Sequence, residues 1–142
     1  MEKYEILEHP ADLKIKAFGK TKEELFLNML KGMTDSLKPE LNNVVTKRII
    51  KISSLDLGAL LIDFLSEVLY LIQTNKEIYT NINFKKLTDP STSSGQVAEL
   101  DAELTGQKVE RFGEDIKAVT YHDLDIHQKE NETWEATILF DI

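Results

Sequence analysis

A chain of 142 residues, 42% of them apolar, has the size of one globular domain and enough apolar material for a substantial core. Its formal charge of −8 repels a phosphate backbone, so stable, direct nucleic-acid binding is not expected, and a basic protein or a cation is the better partner. The absence of cysteine removes disulfides, thiolate nucleophiles and cysteine-type zinc sites together; with no signal peptide or transmembrane run in evidence, a cytoplasmic protein with no membrane partner is expected.

Lys3 to Glu8 alternates as a short strand and Asp12 to Phe18 as a second, in which Leu13, Ile15 and Ala17 face inward and Asp12, Lys14 and Lys16 outward. Between them His9-Pro10-Ala11-Asp12 is a turn whose proline fixes φ, aiming His9 and Asp12 at one end of the sheet. Thr21-Lys22-Glu23-Glu24 is a capping box that opens a helix with the stripe Leu25, Phe26, Met29, Leu30, Met33 and Leu37, ended by Lys38-Pro39. Thr46 to Ser53 reads as the third strand. Asp56 then caps a second helix, Leu57 to about Gln73, whose apolar surface is so broad that it implies a central helix covered on more than one side.

Asn81 to Leu87 and Val97 to Thr105 form a hairpin, the latter placing Ala98, Leu100, Ala102 and Leu104 inward. Its connection, Thr88 to Gly95, is the one low-complexity stretch. Gln107 to Ile116 reads as irregular, with Gly106 and Gly113 as hinges. A last hairpin joins Thr120–Gln128 to Trp134–Ile142. For Leu124 and Ile126 to share a face with Ala136 and Ile138 its loop must be odd, most simply Glu130-Asn131-Glu132 with Asn131 at positive φ; His122 then lies opposite Phe140 and Tyr121 opposite Asp141. Strands in runs, with helices only after the second and third, predict an α+β fold: a single domain over 1–142, a mostly antiparallel sheet with two helices packed on it.

Glycine-rich phosphate loops, G-x-S-x-G and H-E-x-x-H are all absent, which leaves acidic groups at strand ends as the chemistry-bearing feature. Asp12, Asp141 and a carboxylate at Ile142 offer hard oxygen ligands if the first and last strands are neighbours, and a divalent cation would relieve their mutual repulsion. Asp123, Asp125 and His127 share a strand face, though an ordinary solvated face explains them as well. Lys117 and Arg111 are cations suited to a phosphate, a nucleotide or an acidic group on a partner.

Taken together, His9-Pro10-Ala11-Asp12, the Thr21-to-Phe26 helix start, Leu60 to Leu69, Ile116-Lys117-Ala118-Val119-Thr120-Tyr121-His122 and terminal Phe140-Asp141-Ile142 resemble the archease family nearly end to end. The resemblance implies a non-catalytic activator of RtcB-type RNA ligase, the GTP- and metal-dependent enzyme of tRNA splicing and RNA repair. It implies that the chain promotes guanylylation of that ligase and its multiple turnover. It also implies a metal site at Asp12, Asp141 and Ile142, with Ca²⁺ favoured over Mg²⁺ or Mn²⁺, and contacts to partner or nucleotide from His9, Lys117, Arg111 and His122. Pro10, Glu8 and Phe112 depart from the family pattern. Two rival readings are a general chaperone or protein-interaction module, which needs an exposed apolar patch, and a metal-dependent phosphoesterase built on Asp12, Asp123, Asp125 and the histidines.

Overall fold

Seven strands and two helices follow in the predicted order: β1 (Tyr4–Glu8), β2 (Asp12–Gly19), α1 (Lys22–Ser36), β3 (Pro39–Ser54), α2 (Leu57–Asn75), β4 (Glu77–Thr88), β5 (Ala98–Phe112), β6 (Ala118–Gln128) and β7 (Trp134–Asp141). They come from a computed structural model that describes residues 2–8, 12–90 and 97–142. The turn at His9, Pro10 and Ala11 and the tip of the low-complexity connection lie outside the described residues.

Both helices begin at predicted caps. The Thr21 hydroxyl accepts from the Glu24 amide at 3.1 Å, and the Asp56 carboxylate accepts from the Ala59 amide at 2.8 Å. Each bond satisfies an amide that the first helical turn leaves without a partner. α2 ends at Lys76, which takes a left-handed conformation (φ 53°) and returns its N–H to the Ile72 carbonyl.

Every strand pair is antiparallel, as expected, but the strands divide into two sheets, ordered β1-β2-β7-β6 and β3-β5-β4. The helices lie between them. α1 packs on β2 from the first sheet and β4 from the second, while α2 packs on β6 from the first and on β3, β4 and β5 from the second. That placement accounts for the broad stripe of α2, where Leu60, Leu61, Phe64, Leu65 and Val68 have no exposed surface. By length and composition α2 could cross a membrane, with a mean hydropathy of 1.5, yet its stripe is spent on the two sheets. The inward sets predicted for β2 and β5 are buried as well.

Three local expectations are corrected. β3 starts at Pro39 rather than Thr46, running through register shifts between Glu40 and Val45, with Asn43 at φ 68°. Gln107 to Phe112 is not irregular but continues β5, because β5 is the middle strand of its sheet and finds partners on both edges, Leu41 opposite Val109 and Glu77 opposite Lys108. Paired edges override a weak local pattern. Gly106 is therefore no hinge: a Cβ there would fall 1.7 Å from the Ile78 carbonyl oxygen, so glycine lets β4 approach at its bulge.

The final hairpin keeps the predicted register near its turn and loses it further out. Gln128 pairs with Trp134 and Ile126 with Ala136, and the Lys129 amide donates to the Thr133 carbonyl at 2.8 Å across the three-residue loop. The left-handed residue is Glu132 (φ 67°), not Asn131, whose side-chain carbonyl accepts from the Thr133 amide. Between Thr120 and Asp125 the ladder then slips by three residues, so Val119 stands opposite Phe140 and Ala118 opposite Asp141. His122 and Tyr121 do not occupy those positions. The slip has a packing cause: Leu124 and Ile126 close on Gly58 of α2, and the Tyr121 hydroxyl donates to Asp63 of α2 at 3.0 Å. Asp123 absorbs the bend with φ 56°, a conformation aspartate tolerates better than most residues.

Candidate functional site

β7 is flanked by β2 on one side and β6 on the other, and its last residue sets the site. Asp141 is in register with Asp12 on β2 and with Ala118 on β6. Directly opposed residues of an antiparallel pair hold their Cβ atoms about 4.5–5.5 Å apart on the same face. Leu13 and Phe140 point into the core, so Asp12 and Asp141 share the outer face, with Asp12 half-buried and Asp141 exposed. The Lys117 amide donates to the Asp141 carbonyl at 2.7 Å, and the Ile116 carbonyl accepts from the Gln73 side chain of α2 at 2.8 Å. This tie fixes the end of β7 against the segment that carries the exposed Lys117. Ile142 follows, 44% exposed.

Two like charges opposed across a ladder destabilise it, and a hard cation taking oxygen ligands from both reverses the sign of that interaction. Two carboxylates on neighbouring strands, one of them half-buried, form a donor set suited to Ca²⁺ or Mg²⁺ and not to a soft metal.

The other predicted residues are more dispersed. Lys117 adjoins the pair through its backbone and lines a shallow groove of about 250 Å³ with Ser66, Tyr70 and Gln73 of α2. Arg111 belongs to the other sheet, where its Nε donates to Glu40 at 2.7 Å, with both side chains exposed. His122 lies in the slipped stretch of β6, exposed, 3.6 Å from Asp123; the bulge turns these neighbours toward each other, against the alternation expected of a regular strand. His9 lies outside the described residues.

A second group forms at the turn end of the same hairpin. His127 Nδ1 lies 2.9 Å from Asp125 and its Nε2 3.3 Å from Glu135, which also meets Lys129 at 3.4 Å. Asp125 and His127 were read from the sequence; Glu135 was missed, although the hairpin register alone places it opposite His127. From Thr137, the partner of Asp125, to Asp141 is four residues of strand, or about 13 Å. Asp12, Asp125 and His127 therefore do not converge on one phosphodiester, which removes the geometry that the phosphoesterase reading needs.

The group that sequence reasoning missed entirely is Glu77. It has no exposed surface and takes charge-assisted bonds from the Arg48 guanidinium, the Tyr79 hydroxyl at 2.8 Å and Lys108 at 3.3 Å. Burial pushes its carboxyl up, but the bonds from Arg48, Tyr79 and Lys108 outweigh that and hold it at about 2. Burial and the Glu77 carboxylate together push the Tyr79 hydroxyl well above its ordinary value. Little in the local sequence marks Glu77 as special, because its two cationic partners, Arg48 and Lys108, come from β3 and β5.

Known proteins agree with this architecture. The profile of the Archease protein family (MTH1598/TM1083) matches residues 4–142. A protein archease of Methanosarcina barkeri is 34% identical over 145 residues, covering 99% of this chain and 97% of that one. One of Thermococcus kodakarensis is 30% identical, with both chains covered in full. In fold, the chain is similar to the solution structure of Methanobacterium thermoautotrophicum protein 1598 (TM-score 0.77, 24% identity, all of both chains). It is also similar to the crystal structure of an archease, described as a possible chaperone, from Thermotoga maritima (TM-score 0.67, 19% identity, 96% of this chain and 94% of that one). Family profile and full-length relatives together make this chain a member of the archease family.

Proposed function

We propose that this protein is a non-catalytic activator of an RtcB-type RNA ligase in the cytoplasm, promoting the ligase's guanylylation and multiple turnover from the end of the sheet where Asp12 meets Asp141. The observation that carries the reading is the in-register placement of those two aspartates on the outer face of β2 and β7. Asp12, Asp141 and Ile142 would hold a divalent cation, Ca²⁺ in the first instance, which when bound supplies charge neutralisation at a protein–protein contact. The chain's own part is positional. The ladder keeps two carboxylates at fixed separation, and the bond from the Lys117 amide to the Asp141 carbonyl sets an exposed cation beside them. Lys117 then meets phosphate oxygens or acidic metal ligands on the ligase, as charge stabilisation requires.

Single-turnover transfer of GMP to the ligase, with and without this protein, tests the reading. Stimulation is expected to fall at least tenfold with Asp141→Ala and with Asp12→Ala, and to fall when the chain is extended past Ile142. Undiminished stimulation by both aspartate variants would sink the proposal in favour of a general chaperone indifferent to metal. Activity confined to the unextended chain would assign a ligand role to the carboxylate of Ile142.

A further inference from the structure

β3 is an outer strand: it pairs with β5 along one edge, and among the described residues no hydrogen bond falls on its other edge between Thr46 and Ser53. That edge opens on a groove of about 860 Å³ lined by every residue from Lys47 to Ser53 and by Asp63, Glu67 and Leu71 of α2. Strand residues alternate between faces, so a groove lined by consecutive residues runs along the backbone edge itself, where unpaired N–H and C=O groups lie.

The side chains along this edge depart from the rest of the surface. Of the ten large apolar side chains exposed among the described residues, five lie between Leu41 and Leu55, including Ile49 at 79% and Leu55 at 81%. Lys47 and Lys51 flank Ile49 at every second position, and neither forms an ion pair with a described residue. The span from Leu41 to Leu55 holds no acidic residue, in a chain of net charge −8. A second copy is a poor occupant: antiparallel self-pairing centred on Ile49 sets each copy's Lys47 against the other's Lys51, and like charges directly opposed repel.

We propose that β3 is a docking edge to which an extended acidic segment of a partner protein adds as a fourth strand. Its glutamates or aspartates lie at alternate positions beside Lys47 and Lys51, with an apolar residue between them beside Ile49. Main-chain bonds to the free edge supply affinity, and the alternation of charge and apolar surface supplies register. The proposal concerns the sheet that does not carry Asp12 and Asp141, and it does not rest on the ligase reading.

The test uses the full chain and a fluorescein-labelled eight-residue peptide in which glutamate and valine alternate on one face and threonine fills the other. Fluorescence anisotropy should show saturable binding. Amide exchange should gain protection at alternate positions between Thr46 and Ser53. The double variant Lys47→Glu with Lys51→Glu, both exposed, with a thermal melt to check the fold because Lys51 stands opposite Asp101 in the ladder, should weaken binding at least tenfold and prefer a peptide with lysine in place of glutamate. The proposal is overturned if wild type binds the two peptides equally or neither at all, if protection appears elsewhere, or if the charge variant binds undiminished. A concentration-dependent dimer that protects the same amides without peptide would give the edge to a second copy and overturn it too.

Discussion

Carboxylates are brought close to other charges in two contrasting ways in this molecule. Glu77 is sealed in the second sheet among groups of opposite or complementary character, Arg48, Lys108 and Tyr79. Asp12 and Asp141 are set opposite each other, like against like, on the outer face of the first sheet. The first arrangement is complete within the chain and serves the fold. The second places a repulsion where it is cheap to relieve from outside, which is what a site for a cation or a charged partner requires.

Five measurements break or sharpen that contrast. The largest effect is expected from Glu77→Ala, which leaves Arg48 and Lys108 without their carboxylate and should cost about 3 kcal/mol in urea denaturation, the low end for a broken buried pair because both cations reach solvent. The same residue sets an acid limit. Its folded value of about 2 lies below the ordinary 4.5, so its stabilisation is fully present above pH 4.5 and is lost as pH falls toward 2. Glu77→Gln should lack that part of the acid transition.

At the exposed pair the sign differs. Ca²⁺ at a hundred times its dissociation constant should raise wild-type stability by about 2.7 kcal/mol, and should leave Asp12→Asn and Asp141→Asn unmoved in thermal denaturation. Without the ion Asp141→Asn, which removes one of the two opposed charges, should match or slightly exceed wild type. Equal stabilisation of all three by Ca²⁺ would place the ion elsewhere. Next, Asp123→Val puts a β-branched residue at φ 56° and should cost about 1–2 kcal/mol, whereas Asp123→Gly should cost little; circular dichroism melts separate the two. The smallest effect belongs to the Asp125, His127 and Glu135 group, where Asp125→Ala should cost under about 0.5 kcal/mol, as surface ion pairs generally do.

Much of this was legible in the chain. Alternation in β2, β5 and β7 and the stripes of both helices name the core correctly, because burial on one face imposes a strict period on the sequence. The approach of Asp12 to Asp141 was legible as a condition, that the strands ending in them be neighbours, and the pairing of β2 with β7 meets it. The slip between Thr120 and Asp125 could not, since it is set by Gly58 and Asp63 of α2, about sixty residues earlier. Division into two sheets was hidden too. Local pattern tells which face of a strand is buried but not which of several edges it joins, and the length of β5 depends on neighbours at both of its edges.

Asp12 and Asp141 are separated by nearly the whole sequence, yet they are direct ladder partners. Bringing such remote segments together carries a loop-closure cost that short hairpins escape, and the two aspartates are opposed only once β2 and β7 have paired. Opposed aspartates are consequently a mark of maturity: a nascent or partly folded polypeptide cannot display them, and anything that recognises the pair recognises only the finished protein.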